Sequence, residues 1–207
     1  MISIVIPVYN SADCLPELVW QIRQHVPVDY ALILVNDQSR DNSWEVIRAQ
    51  AREDAAIVGV NMRKNVGQDN AIMAGLRLAQ GEYIVIMDDD LQHAPSDIMR
   101  LHAACRPDYD VCFGKYLEFR QNWWKVLGSH FNGLAATLFL GKPRHIYLSP
   151  FKIMHRDLVQ DIIAYEGPFP YIDGLILSHT TRITQIQVEH QKRFAGRSAY
   201  SLLKSIA

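Results

Sequence analysis

Cysteine is scarce in this chain, with only Cys14, Cys105 and Cys112 among 207 residues. They lack metal-ligand spacing, and an odd count fits free thiols in a reducing compartment. Charge of one sign is missing too: 21 Lys and Arg stand against 22 Asp and Glu, for a net charge of −1. That balance argues against a nucleic-acid partner. The most apolar stretches are runs of four to seven residues, too short to span a bilayer. No charged segment precedes the first apolar run at Ile2, so no signal peptide is read. Glycine-rich phosphate loops are absent as well. The first apolar run ends in Pro7-Val8-Tyr9-Asn10 without Gly-x-Gly-x-x-Gly, and Gly-x-x-x-x-Gly-Lys-Ser/Thr occurs nowhere. Dinucleotide-binding dehydrogenases and P-loop kinases are thereby excluded.

What is present is globular. Hydrophobic residues make up 49% and charged residues 21% of the chain, which rules out disorder and coiled coil. A domain of this length buries about 70% of its unfolded surface and folds without staples. Ile2-Ser3-Ile4-Val5-Ile6, Ala31-Leu32-Ile33-Leu34-Val35, Ile57-Val58-Gly59-Val60 and Tyr83-Ile84-Val85-Ile86-Met87 read as strands. Near-continuous apolar runs of this kind belong to a parallel sheet covered on both faces. Helical patterns fall between them, over 15–25, 43–52, 68–79 and 95–104. Later in the chain Val111-Cys112-Phe113-Gly114 and 183–188 read as strands, and 157–165, 174–181 and the apolar stretch 123–140 as helices. Strands alternating with helices predict an open, mostly parallel α/β sheet of Rossmann-like form, with its ligand at the strands' carboxyl ends.

The polar clusters fall at those ends. The first strand runs into Tyr9 and Asn10, the second into Asn36-Asp37-Gln38-Ser39, the third into Asn65-Val66-Gly67-Gln68 and the fourth into Asp88-Asp89-Asp90. Four consecutive strands delivering polar residues to one edge describe a binding site. Three adjacent carboxylates repel one another unless a cation or a helix N-terminus relieves them. Hard divalent cations take carboxylate oxygens and keep room for substrate phosphates. An acidic turn capping the following helix accounts for the same residues. A phospho-receiver domain also gathers aspartates, but it needs an acidic pair where this chain has Tyr9-Asn10.

In that order, Ile6-Pro7-Val8-Tyr9-Asn10, Val35-Asn36-Asp37-Gln38-Ser39-Arg40-Asp41, Asn65-Val66-Gly67-Gln68 and Met87-Asp88-Asp89-Asp90-Leu91-Gln92-His93 resemble the motifs of family-2 inverting glycosyltransferases of GT-A fold. The late segment His190-Gln191-Lys192-Arg193-Phe194-Ala195-Gly196-Arg197-Ser198 resembles the H-x-x-R-x-x-G-x-S stretch of the polyprenyl-phosphate branch. That branch includes dolichol-phosphate mannosyltransferases, bactoprenol glucosyltransferases and aminoarabinose transferases. The resemblance implies a single catalytic domain over 1–207, with a nucleotide-sugar-binding half at 1–115 and an acceptor-binding half at 116–207. It implies donor contacts from Pro7, Tyr9, Asn10, Asp37, Asn65, Gln68, Asp88 and Asp89, with a uridine diphosphate sugar favoured over a guanosine one. Mn²⁺ or Mg²⁺ would be held by Asp88, Asp90 and Gln92. Asp90 and Arg193 take the catalytic roles, while Lys152, Arg156, Arg193, Arg197 and Ser198 would receive the acceptor phosphate. The implied partners are a nucleotide-sugar, a polyprenyl phosphate and the cytoplasmic side of a membrane, with the chain itself soluble and homo-oligomerisation open. A strand-terminating turn at Pro7-Tyr9 and a helix cap at Asn65 remain compatible plain readings.

The chain departs from the family at several places. Ser11 stands where an acid is usual, Asn36 replaces the first Asp of its pair, and Asp89 replaces a common Ala. No acid occurs in Ile146-Tyr147-Leu148-Ser149-Pro150-Phe151-Lys152, where Lys152 replaces Arg, and Ala199 replaces a Lys. A phosphate acceptor is already anionic and needs no general base. Transfer to a carbohydrate hydroxyl would need one, for which Asp157 and Asp173 are the candidates. A non-catalytic nucleotide-sugar binder is the third reading. His93, His155 and His190 are read as hydrogen-bonded structural residues, and 193–200 as a loop that closes over the donor. The 123–140 stretch suits a lipid-facing, core or dimer helix. Residues 201–207 begin an amphipathic segment of the kind that precedes membrane helices in related proteins.

Overall fold

The computed structural model describes residues 1–116 and 146–189. Seven strands form one sheet: β1 (Ile2–Val8), β2 (Tyr30–Asn36), β3 (Ile57–Asn61), β4 (Tyr83–Ile86), β5 (Val111–Tyr116), β6 (Lys152–His155) and β7 (Ile183–Val188). Their spatial order is β3-β2-β1-β4-β6-β5-β7. β1 pairs in parallel with β2 and β4, β2 with β3, and β5 with β7. Among the described strands only β6 runs against its neighbours, between β4 and β5. The strand was not foreseen from the sequence, and it joins the two halves of the chain in one sheet.

The strand runs are apolar because both faces are covered. Ile2, Ile4, Ile6 and Val8 face one side, where they meet α1 (Leu15–His25), α2 (Ser43–Glu53) and α4 (Ile98–Cys105). Val5, Ile33, Val35, Ile84 and Ile86 face the other, under α3 (Gln68–Leu76), α5 (Arg156–Ile163) and α6 (Ile172–His179). Alternation with period two inside an unbroken apolar run is what a doubly covered strand requires. Helix α3 lies so close to the sheet that a Cβ at Gly75 would fall 2.4 Å from Val5 Cγ1.

Boundaries shift modestly. α3 ends at Leu76 rather than 79, and 95–104 divides into a short 3₁₀ turn at Pro95–Asp97 followed by α4. Cys14, Cys105 and Cys112 are all buried, and burial pushes the Cys105 and Cys112 thiols up to about 12. Among the described residues no helix is long and apolar enough to cross a membrane. The 123–140 stretch and residues 190–207 lie outside the described residues.

Candidate active site

Parallel strands β1 to β4 point their carboxyl ends at one edge, and each is followed by a left-handed residue. Asn10, Gln38 and Leu91 have φ of 55°, 53° and 61°, and Gly67 has 85°. Outside glycine that conformation costs roughly 1–2 kcal/mol per residue, so its surroundings must hold it. Asn10 Oδ1 accepts the Arg40 amide at 2.7 Å, and the Asn10 amide donates to Ser39 Oγ at 3.0 Å. Gln38 Oε1 accepts the Asn65 amide at 3.0 Å while its Nε2 donates to the Arg63 carbonyl at 3.2 Å. The loops after β1, β2 and β3 are thus laced together side by side. Pro7 is buried within β1 and Tyr9 is half-buried just beyond it.

Asp37, only 4% exposed, fixes the loop after β3. Its two carboxylate oxygens accept the Val66 and Gly67 amides at 2.7 and 2.9 Å, and its carbonyl accepts Asn65 Nδ2 at 3.0 Å. Asn65 is therefore tied to the β2 loop, and Gln68 opens α3 directly above it.

The carboxylates of the acidic triplet have different partners. Asp88 Oδ1 accepts Gln68 Nε2 at 2.8 Å. Asp89 Oδ2 accepts the Tyr9 amide at 3.0 Å and Ser11 Oγ at 2.6 Å. Asp90 Oδ1 accepts the Gln92 amide at 3.1 Å. Asp89 thus faces the β1 loop, a contact that spacing alone does not reveal. Burial, then the neighbouring Asp90 and Asp89 charges, push the Asp88 carboxyl up to about 7, against relief from Lys152 and Gln68. Burial also raises Asp89. No group of three or more His, Cys, Asp or Glu side chains converges as a metal cage among the described residues. The donor set instead suits an ion that takes one or two carboxylates and completes its shell with water and phosphate. Asp88 and Asp90, with Gln92 beside them, fit that ion, because the repulsion at Asp88 is what a divalent cation relieves.

Behind the triplet, His93 is 3% exposed. Its Nδ1 accepts the Asp88 amide at 3.1 Å, which leaves the ring proton on Nε2, facing the Tyr116 hydroxyl. The imidazole stacks on Phe151 at 5.1 Å between centroids. His93 is a buried support for the Asp88 backbone.

Lys152 and Arg156 part company. β6 runs antiparallel to β4, with Lys152 opposite Ile86 and His155 opposite Tyr83. Lys152 therefore lies at the carboxyl edge, but it is 4% exposed. Its ammonium pairs with Asp173 and lies 5.3 Å from the centre of the Phe113 ring. Arg156 follows His155 at the opposite edge, where its amide donates to the Glu82 carbonyl at 2.9 Å. Three residues of strand span about 10 Å, so β6 carries Lys152 to the edge of the triplet and Arg156 to the edge away from it. Arg193, Arg197 and Ser198 lie outside the described residues.

A mostly parallel sheet with helices on both faces and an Asp-x-Asp pair at its carboxyl edge is a GT-A fold. A mannosyltransferase from Pyrobaculum calidifontis, solved with GDP-Man and Mn²⁺, superposes with a TM-score of 0.69 at 16% identity, over 95% of this chain and 58% of that one. Glucosyl-3-phosphoglycerate synthase from Mycobacterium tuberculosis, solved with Mn²⁺, UDP-glucose and phosphoglyceric acid, gives a TM-score of 0.65 at 18% identity, covering 93% and 72% of the two chains. The chain belongs to glycosyl transferase family 2, whose pattern matches residues 3–163. It is 31% identical over 209 residues to the undecaprenyl-phosphate 4-deoxy-4-formamido-L-arabinose transferase of Proteus mirabilis, covering 99% of this chain and 64% of that protein. The corresponding transferase of Pseudomonas syringae is 32% identical, with 99% and 62% covered. The chain thus spans just under two thirds of the length of these relatives.

Proposed function

We propose that this chain transfers a sugar, with inversion, from a nucleoside diphosphate donor to a polyprenyl phosphate at a membrane surface. The observation that carries the reading is the placement of Asp88 and Asp90 at the end of β4, joined through Gln68 to the turn that Asp37 holds. Pro7, Tyr9 and Asp37 would enclose the base, with a uridine diphosphate donor favoured. Asp88, Asp90 and Gln92 would hold Mn²⁺ or Mg²⁺, which supplies Lewis-acid neutralisation of the departing diphosphate. Arg193, Arg197 and Ser198 would fix the acceptor phosphate, since guanidinium forks match phosphate geometry. The nucleophile is a phosphate oxygen already ionised at neutral pH, so the chain's task is alignment with the anomeric carbon.

The competing reading, transfer to a carbohydrate hydroxyl, needs a general base. Of its two candidates, Asp157 is an exposed residue in the first turn of α5, at the edge of the sheet away from the triplet. Asp173 is engaged by Lys152. Both placements favour the phosphate acceptor.

The test supplies the protein with UDP- and GDP-sugars, Mn²⁺ and either undecaprenyl phosphate or an oligosaccharide, and follows products by mass spectrometry. A glycosylated polyprenyl phosphate is the expected product. Product on the oligosaccharide alone would replace this reading with the hydroxyl one, and nucleotide binding without any transfer would leave a binding module.

A further inference from the structure

Asp97 stands at the N-cap of α4, closing the 3₁₀ turn Pro95–Asp97. A carboxylate in that position ordinarily accepts an amide from the first turn of its own helix. Asp97 makes no such bond. Its side chain is only 5% exposed and is turned to two other partners. Oδ1 pairs with the Arg100 guanidinium, and Oδ2 accepts the Glu189 amide at 3.2 Å. Arg100 uses its second terminal nitrogen, Nη2, to donate to the Gln187 carbonyl at 3.0 Å. One carboxylate–guanidinium unit therefore holds both Gln187 and Glu189, which lie 87 and 92 positions along the chain from Arg100 and Asp97.

Among the described strands β7 is the outer one, paired only with β5, so carbonyls on its far side have no strand to meet. The bond at Gln187 covers one of them. The bond at Glu189 lies beyond the end of β7 at Val188, where no ladder requires it. Fixing an amide just past a strand end sets the direction in which the chain departs. That departure lies at the carboxyl edge: Val188 stands opposite Tyr116, and the Tyr116 hydroxyl meets His93, whose ring supports the Asp88 amide. The clamp belongs to the connection after β4, which opens with Asp88-Asp89-Asp90, passes through buried Leu91, His93 and Ala94, and closes at Asp97. One short piece of chain carries the acidic triplet at its start and the anchor of the β7 exit at its end.

We propose that Asp97 and Arg100 are positioning residues for the transfer, fixing the point from which the segment with Arg193 leaves the sheet relative to the acidic triplet. The proposal rests on the reading that Arg193 receives the acceptor phosphate. Arg193 follows Glu189 by four residues, a reach of at most about 14 Å. A shift at so near a root displaces the guanidinium, and misplacement by about 1 Å at a reacting group can cost about 100-fold in rate. Asp97 and Arg100 act through the segment they anchor, with no contact of their own to donor or acceptor.

A double-mutant cycle of Arg100→Ala and Arg193→Ala tests it. Undecaprenyl phosphate and a panel of UDP- and GDP-sugars supply the substrates, and isothermal titration gives the affinity for UDP and GDP. Arg100 is 56% exposed, so Arg100→Ala leaves folding intact, which thermal melting checks. Arg100→Ala should lower kcat for transfer at least about tenfold, with nucleoside diphosphate affinity within about twofold of the unaltered protein. Added to Arg193→Ala, it should cost less than about twofold more, because residues that act through one another are not additive. Support of the fold alone would give the same fractional loss in both backgrounds. Unchanged transfer in Arg100→Ala, a parallel loss of diphosphate affinity, or an undiminished loss in the Arg193→Ala background overturns the proposal. Full transfer by Arg193→Ala alone overturns the reading of Arg193 beneath it, and the proposal with it.

Discussion

Ser11 Oγ donates a 2.6 Å hydrogen bond to Asp89 Oδ2, the oxygen that also accepts the Tyr9 amide at 3.0 Å. The central carboxylate of the triplet therefore fastens the loop after β1 to the end of β4. Ser11 takes the place where the family resemblance anticipates an acid, and the acid beside it comes from Asp89. Asp89→Ala would leave both donors without this acceptor, at about 1–3 kcal/mol for each group kept from water. We expect at least a roughly tenfold loss of UDP affinity by isothermal titration. Asp89→Asn retains an acceptor oxygen and should stay within about threefold of the unaltered protein. Equal losses in the two variants would mean that the charge of Asp89, rather than its hydrogen bonds, serves the donor.

Asp88 gives the site a pH dependence. Its carboxyl is pushed up to about 7, above the unfolded value of 3.8. Between those values the folded chain binds the proton and the unfolded chain does not, so metal-free stability falls as pH rises through that window. A divalent cation must displace the same proton at pH 6 and meets an ionised carboxylate at pH 8. Mn²⁺ should therefore raise the melting temperature more at pH 8 than at pH 6, as differential scanning fluorimetry would show. Asp90→Asn should abolish most of that increment and lower turnover about 100-fold or more. An equal Mn²⁺ increment at both pH values would place the ion away from Asp88.

Asp37 ties the end of β2 to the turn that opens α3, and we expect it to couple folding to binding. Removing a carboxylate that holds two backbone amides should cost about 2 kcal/mol in urea unfolding, since hydrogen bonds to charged acceptors are the stronger class. Because the affected turn opens α3, nucleotide affinity should fall in Asp37→Ala as well. Loss of affinity at undiminished stability would instead assign Asp37 a direct contact with the base alone.

Much of this architecture could be read from residues. Ile2-Ser3-Ile4-Val5-Ile6 and its counterparts are long enough and apolar enough to announce doubly covered strands, and the polar groups after them gather at one carboxyl edge. β6 escaped notice because Lys152-Ile153-Met154-His155 is short and begins and ends on polar residues. Both ends find interior partners, Lys152 with Asp173 and His155 edge-on to Tyr83 at 5.3 Å. The reversed strand is what separates Arg156 from Lys152 by the length of β6. The triplet is visible as three carboxylates, but the turning of Asp89 toward Ser11 is a contact between residues 78 apart in sequence. Spacing carries no such information.

The Lys152–Asp173 pair joins β6 to the first turn of α6. Breaking a buried pair by deleting one charge costs about 3–5 kcal/mol, because the other is left uncompensated. Asp173 keeps 18% of its side-chain exposure, so Lys152→Met should fall at or below the lower end of that range. Lys152→Met combined with Asp173→Leu should recover most of the loss in a double-mutant cycle. Additive losses would show that the two residues contribute independently.

Arg156 and Arg193 test the acceptor assignment together. Arg156 stands at the amino edge of β4, across the sheet from the triplet. Arg156→Ala should therefore leave both nucleotide affinity and transfer within about twofold, the ordinary range for a surface substitution. Arg193 belongs to a segment with Gly196, Arg197 and Ser198, in which two guanidinium groups, a hydroxyl and a glycine fall within six positions. Glycine lets backbone approach an anion closely, and the forks bind phosphate oxygens in pairs. Arg193→Ala should depress transfer to undecaprenyl phosphate by about 100-fold, as expected when a charge-assisted contact to the reacting group is lost. UDP affinity in the same variant should change by less than about threefold, which isothermal titration would measure. Matching losses in transfer and UDP affinity would make Arg193 a donor residue. An unaffected Arg193→Ala would leave acceptor binding to Arg197 and Ser198.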